Sequence, residues 1–196
     1  MNWVEIGSCD YDTILDSPYY SESGWGIIVE PVSEYIRKLK QLPNVQYINA
    51  AVTSDTAGVA DFHIIKNPTA HNIPDWVRSC GTIKPQHATL KHFGYDVHSE
   101  TISVNCISLP QLYSYFPNNI IHLLKVDTEG CDYEILYNWD YINYKPLQIQ
   151  YESKLMTPQQ DVELRKKLRS IGYTVTYGDK VDYSGVPYNS YAVLDL

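Results

Sequence analysis

The apolar residues fall in short blocks that end on a glycine, a proline or an acid, and these blocks alternate with stretches of helical spacing. Residues 3–7, Trp-Val-Glu-Ile-Gly, predict a buried strand closed by glycine, and residues 26–30 predict a second that ends on Glu30. Between them, residues 12–20 predict one or two helical turns, with Pro18 near their end. Residues 33–41 predict a helix, with Tyr35, Ile36 and Leu39 inward and Arg37, Lys38 and Lys40 outward; Pro43 and Asn44 break it. Residues 45–52 predict a third strand, and a turn at Gly58 leads to another at 59–65. Further on, residues 101–106 predict a strand, 108–115 a helix, and 120–127 an apolar strand that runs into Asp127. Residues 130–137 predict a helix, and 147–151 a strand that ends on Glu152. Thr157 and Pro158 open the clearest helix as N-cap and first helical residue, with Val162, Leu164 and Leu168 inward. Two closing strands, 173–177 and 190–194, have no helix between them.

Short buried strands alternating with helices predict an α/β fold with a doubly wound, mainly parallel sheet, and the last pair predicts an antiparallel hairpin at one edge. Residues 66–100 break the pattern: they hold Pro68, Pro74, Gly81, Pro85 and Gly94 and little periodicity. A stretch of this length is either a lid or binding insert or a structural excursion. With no repeat or linker, residues 1–196 read as a single domain carrying this loop-rich insert.

In an open α/β sheet, ligands bind beyond the carboxyl ends of the strands. Those ends carry Gly7-Ser8-Cys9-Asp10, Glu30, Asn49-Ala50, Asp127-Thr128-Glu129-Gly130 and Glu152. An acid ending the second strand, about 20 residues past a glycine turn, is placed to accept hydrogen bonds from both hydroxyls of a ribose. Only Gly7 is present of a G-x-G-x-x-G pattern, so the turn is not built to cradle a pyrophosphate. That disfavours a nicotinamide or flavin dinucleotide and leaves a nucleoside ligand such as S-adenosylmethionine. Asp127, Glu129 and Glu152 place three carboxylates at neighbouring strand ends. They can act as a general base, or hold a divalent cation, which is the less favoured reading; Asp127 and Glu129 also suit the start of the following helix.

Composition narrows the partners. The 15 basic residues against 23 acidic ones give a net charge of −8, which argues against a sequence-independent binder of nucleic-acid backbones. Runs such as Gly26-Ile27-Ile28-Val29 fall far short of the ~20 apolar residues that span a bilayer. Glu5 and Asp10 near the start, without a basic region, argue against a signal peptide. Cys9, Cys80, Cys106 and Cys131 form no C-x-x-C pair, so reduced thiols and a cytoplasmic location are expected. His87, His92 and His98 are spaced by five and six residues, share no helical face, and read as loop histidines rather than metal ligands.

The stretch Ile121-His122-Leu123-Leu124-Lys125-Val126-Asp127-Thr128-Glu129-Gly130, followed by Glu134-Ile135-Leu136, resembles the signature of FkbM-type methyltransferases. Val4-Glu5-Ile6-Gly7-Ser8 is similar to the family's first strand and glycine turn, and Val29-Glu30-Pro31 to its second-strand end. Asn49-Ala50-Ala51-Val52 is similar to its third strand, and Ser103-Val104-Asn105-Cys106-Ile107-Ser108-Leu109 to the segment before the signature. The turn after Gly7 lacks the family's second glycine.

The resemblance implies a class I, Rossmann-like, S-adenosylmethionine-dependent O-methyltransferase acting on a hydroxyl of a sugar, glycan or related natural product. It implies cofactor contacts at Glu5, Gly7, Ser8, Glu30, Pro31, Asn49, Ala50 and Asp127. Gly7 would meet the methionine part, Glu30 the ribose, and Asn49 and Ala50 the adenine. Asp127, with Glu129 and Glu152 after it, is the candidate catalytic base. The insert or a partner subunit would cover the cleft, and the oligomeric state stays open. The rival reading is a non-catalytic binding or scaffold protein that keeps the fold; a nicotinamide-dependent oxidoreductase comes third.

Overall fold

In the computed structural model, residues 1–11, 13–16, 23–84, 91–178 and 188–195 are described. Among them, seven strands form one sheet: β1 (Trp3–Ile6), β2 (Gly26–Val29), β3 (Val45–Ile48), β7 (Leu123–Val126), β8 (Gln148–Glu152), β9 (Tyr173–Tyr177) and β10 (Asn189–Leu194). The order across the sheet is β3-β2-β1-β7-β8-β10-β9. The pairs from β3 to β8 are parallel, and β10 runs antiparallel between β8 and β9. The mixed α/β class, the mainly parallel sheet and the closing hairpin therefore stand as expected.

β1 lies at the centre and is buried along its whole length. Trp3, Val4 and Ile6 suit that position, and Glu5 does not. Its carboxylate is accommodated by Lys125, its register partner on β7, at 2.9 Å, and by the Ile14 amide at 2.9 Å. Breaking such a buried pair from one side costs about 3–5 kcal/mol, because the remaining charge stays buried.

The helices are α1 (Ser33–Lys38), α2 (Tyr95–His98), α3 (Leu109–Tyr113), α4 (Asp132–Tyr137) and α5 (Pro158–Ser170). α1 ends at Lys38, short of the helix expected over 33–41; its inward and outward residues fall as the spacing predicts, and Leu39 beyond it is buried and Lys40 exposed. α5 starts at a capping box: Thr157 Oγ1 accepts from the Gln160 amide, and Gln160 Oε1 accepts from the Thr157 amide. Leu164 and Leu168 are buried, but Val162 is 60% exposed, and Arg165 takes the inner side instead. Arg165 can be buried there because Asp161 and the Ser190 hydroxyl accept its hydrogen bonds. The helical turns expected over 12–20 reduce to one 3-10 turn, Ile14–Asp16, with residues 12 and 17–22 outside the described ones.

The continuous strand expected over 45–52 is two strands. The amide of Asn49 donates to the Glu30 and Pro31 carbonyls, both at 2.9 Å, and turns the chain away after Ile48. β4 (Ala51–Thr53) then joins a second sheet, ordered β4-β6-β5, with β5 (Gly58–Ile64) and β6 (Glu100–Ser108). The strand expected at 101–106 is thus longer and belongs to this smaller sheet.

The insert is more ordered than its sequence suggests. It holds 3-10 turns at Pro68–His71 and Asp75–Ser79, and a bridge between Thr82 and His63. Ile65, Ile73, Val77 and Cys80 form a small core of its own. His92 packs edge-on against Phe93 and His98 stacks on His71, while His87 lies outside the described residues. No described helix is long and apolar enough to cross a membrane.

Candidate functional site

A cleft opens where β1, β2 and β7 end, on the side of the sheet where the parallel strands give out their loops. Gly7 makes it possible. Its φ is +81°, and a Cβ there would lie 1.9 Å from the Asp127 carbonyl oxygen. Only glycine lets the end of β1 press against the end of β7 in this way. The chain then passes through Ser8, which is buried, to Cys9, which stands at φ +51° in the left-handed region.

Glu30 forms one end of the cleft and is 4% exposed. Its Oε2 accepts from the Cys9 amide at 2.8 Å and its Oε1 from the Val32 amide at 2.7 Å. Each carboxylate oxygen has room for a second donor. Burial pushes the carboxyl up to about 7, against the pull of these two amides. Pro31 and Ala50 line the same end, and Val52, Phe62 and Ile64 supply an apolar wall.

Asp127 closes the other end. Beyond it the chain reverses through Glu129 at φ +53° and Gly130 at φ +114°. Asp132 bolts this turn in place: it accepts from the Thr128 amide and hydroxyl at 3.1 and 2.6 Å, and from the Glu152 amide at 3.1 Å. The ends of β7 and β8 are thereby tied together, and one carboxylate oxygen from each of Asp127, Glu129 and Glu152 lies within 4.8 Å of the others. Burial first, and then the neighbouring carboxylates, raise Asp127 and Glu152 well above the usual range for acids. Lys154 lies 2.9 Å from Glu152 Oε1.

The predicted residues therefore divide into three groups. Gly7, Ser8, Glu30, Pro31, Ala50, Asp127 and Glu129 line one cleft. Glu152 joins Asp127 and Glu129 in the acidic group at its end. Glu5 sits beneath the cleft, wholly buried on Lys125, and Asn49 points to the backbone of residues 30 and 31 and lines a separate groove.

The sequence points to the insert, or a partner subunit, as the cover of the cleft, but names none of the insert's residues that line it. Arg78 reaches into the cleft, ion-paired to Asp10 at 2.6 Å and lying over the rings of Tyr11 and Tyr35. Tyr11 also donates to Ser79 Oγ, and Lys84 pairs with Glu134 on α4 at 2.6 Å. The segment from 75 to 84 is thus strapped across the cleft from both sides. Nothing in its local pattern signals this, because every partner is distant in sequence. Asp132 was within reach, as the buried acid two residues into the turn–helix junction.

A family model described as "Methyltransferase FkbM domain" matches residues 5–175. The chain belongs to the FkbM methyltransferase family. No curated protein matches it. For an FkbM methyltransferase the donor set fits an adenosine-bearing methyl donor. The cleft pairs an acid that can take two hydroxyls with an apolar wall that can take an adenine.

Proposed function

We propose that this FkbM methyltransferase is S-adenosylmethionine-dependent and transfers the methyl group to a hydroxyl of a sugar, glycan or related natural product. The observation that carries the reading is one cleft lined by both Glu30 and Asp127, at the ends of β2 and β7, the two parallel strands that flank β1. The strand order, with its antiparallel β10 between β8 and β9, supports a class I, Rossmann-like assignment. The four free cysteines support a cytoplasmic protein.

S-adenosylmethionine, when bound, supplies a methyl group already activated as a sulfonium. Glu30 would accept hydrogen bonds from the ribose hydroxyls, Pro31 and Ala50 would flank the adenine, and the backbone at Gly7 and Ser8 would approach the methionine part. The protein's first task is alignment, which is worth roughly 7–11 kcal/mol in good cases. Its second is to take the proton of a weakly acidic hydroxyl as the new oxygen–carbon bond forms, worth about 10²–10⁴-fold. Asp127 would take that role, because it lines the cleft and Glu152 does not.

Incubation with a methyl-labelled donor and a panel of sugars tests this directly. Transfer to oxygen is expected, and Asp127→Asn should lower kcat/KM by about 10²–10⁴-fold while S-adenosylhomocysteine still binds. Near-normal turnover in Asp127→Asn removes Asp127 from the role.

A further inference from the structure

We propose that Asp127, Glu129 and Glu152 together bind one hard divalent cation, of the magnesium, manganese or calcium type, where β7 and β8 end. The first observation is spacing. Their three carboxylate oxygens lie within 4.8 Å of one another. Oxygens that share such an ion at about 2.0–2.6 Å are separated by no more than about twice that distance, so the group stands near the outer limit of that spacing and closes on an ion by drawing together.

The second observation is independent of the first. Glu152 is 6% exposed, and its Oε2 is buried with no hydrogen-bond partner among the described residues. Buried carboxylate oxygens are rarely left so, because nothing replaces the water they lose. Its Oε1 is already taken by Lys154. Lys154 brings one positive charge to a group of three carboxylates, and a divalent cation brings two more. Asp132 marks the contrast: its oxygens are engaged by the Thr128 amide and hydroxyl and the Glu152 amide, so it holds the loop and is not a ligand.

The donors are all oxygen, with no imidazole or thiolate, which selects a hard ion over zinc or copper. Three protein ligands leave coordination positions open. An acceptor bearing oxygens on adjacent carbons, such as a vicinal diol, would fill two of them, and the ion would lower the pKa of a bound hydroxyl. That role in transfer rests on the methyl-transfer reading; the binding of the ion does not.

The test uses the full chain alone, without donor or acceptor. Manganese chloride is titrated in, and free Mn²⁺ is followed by electron paramagnetic resonance. One saturable site per chain is expected, with Mn²⁺ displaced by Mg²⁺ or Ca²⁺. Glu129→Gln and Glu152→Gln should each weaken it by about tenfold or more, and Glu134→Gln, an acid outside the group, should leave it unchanged. Circular dichroism checks each variant's fold. If Glu152→Gln does not fold, Glu129→Gln decides, because the Glu129 side chain is partly exposed. No binding at millimolar metal, or equal binding in wild type and Glu129→Gln, overturns the proposal. Binding of S-adenosylhomocysteine without Mn²⁺ removes the cation alone; Mn²⁺ binding without S-adenosylhomocysteine removes the cofactor reading and keeps the cation.

Discussion

A methyl group on Gly7 has nowhere to go: the Asp127 carbonyl oxygen is 1.9 Å from where it would sit, and φ is +81°. Gly7→Ala must therefore push apart the ends of two central strands. Its expected cost is on the order of 3 kcal/mol, from overpacking and a left-handed backbone together. Urea denaturation of the variant measures it, and an unchanged midpoint would mean that the strand ends do not meet as described. Gly7, Glu30 and Asp127 were legible because strand ends and glycine turns are local features. Glu5 was legible only as a member of a motif, and Asn49 as a strand end whose side-chain direction was not. Their side chains turn to Lys125 and to the backbone of residues 30 and 31, across the sheet, and spacing along the chain carries no information about that direction. Asp132 shows the same limit, since its work is to join the β7 turn to the start of the β8 loop.

Among the elements, the parallel strands and α5 follow from periodicity and capping, both short-range. The break between β3 and β4 does not. Ile48, Ala50 and Val52 alternate as one strand would, and all three are buried, yet Ile48 and Val52 belong to different sheets and Ala50 to the turn between them. The choice is made by hydrogen bonds from Asn49, which a hydrophobic pattern cannot register. The insert is a second case. Its straps are Arg78 on Asp10 and Lys84 on Glu134, and they differ in worth. Both partners of the latter are about two-fifths exposed, so it adds little, about 0–1 kcal/mol. Asp10 is 7% exposed along its side chain, and Arg78 is its close partner, with Lys38 farther off at 3.4 Å. Arg78→Ala should therefore loosen the segment from 75 to 84 and the turn after Gly7 together, and Glu134→Gln should not. Hydrogen exchange read by mass spectrometry distinguishes them: faster exchange over 75–79 in Arg78→Ala alone is expected, and equal exchange in both variants would deny the strap.

Over the whole molecule, an acidic chain concentrates buried carboxylates on one side of one sheet. Glu30 and Asp127 follow the two parallel strands that flank β1; Glu30 is buried and Asp127 half-buried. This gives the cleft two chemically different ends within one site, one that can accept hydroxyl donors and one that can accept a proton or hold an ion. It also makes ligand binding sensitive to pH. Ribose hydroxyls donate to the ionised form of Glu30, whose carboxyl stands at about 7 in the free protein. Below that pH, binding has to expel a proton, so affinity rises as pH increases through about 7 and then levels off. Calorimetric titration with S-adenosylhomocysteine, run on either side of that pH and repeated on Glu30→Ala, bears on the account more directly than any other measurement. The expected result is one site per chain, tighter at the higher pH, and lost or strongly weakened in the variant. No binding by the wild type, or equal binding by the variant, would contradict the assignment of this cleft to the methyl donor.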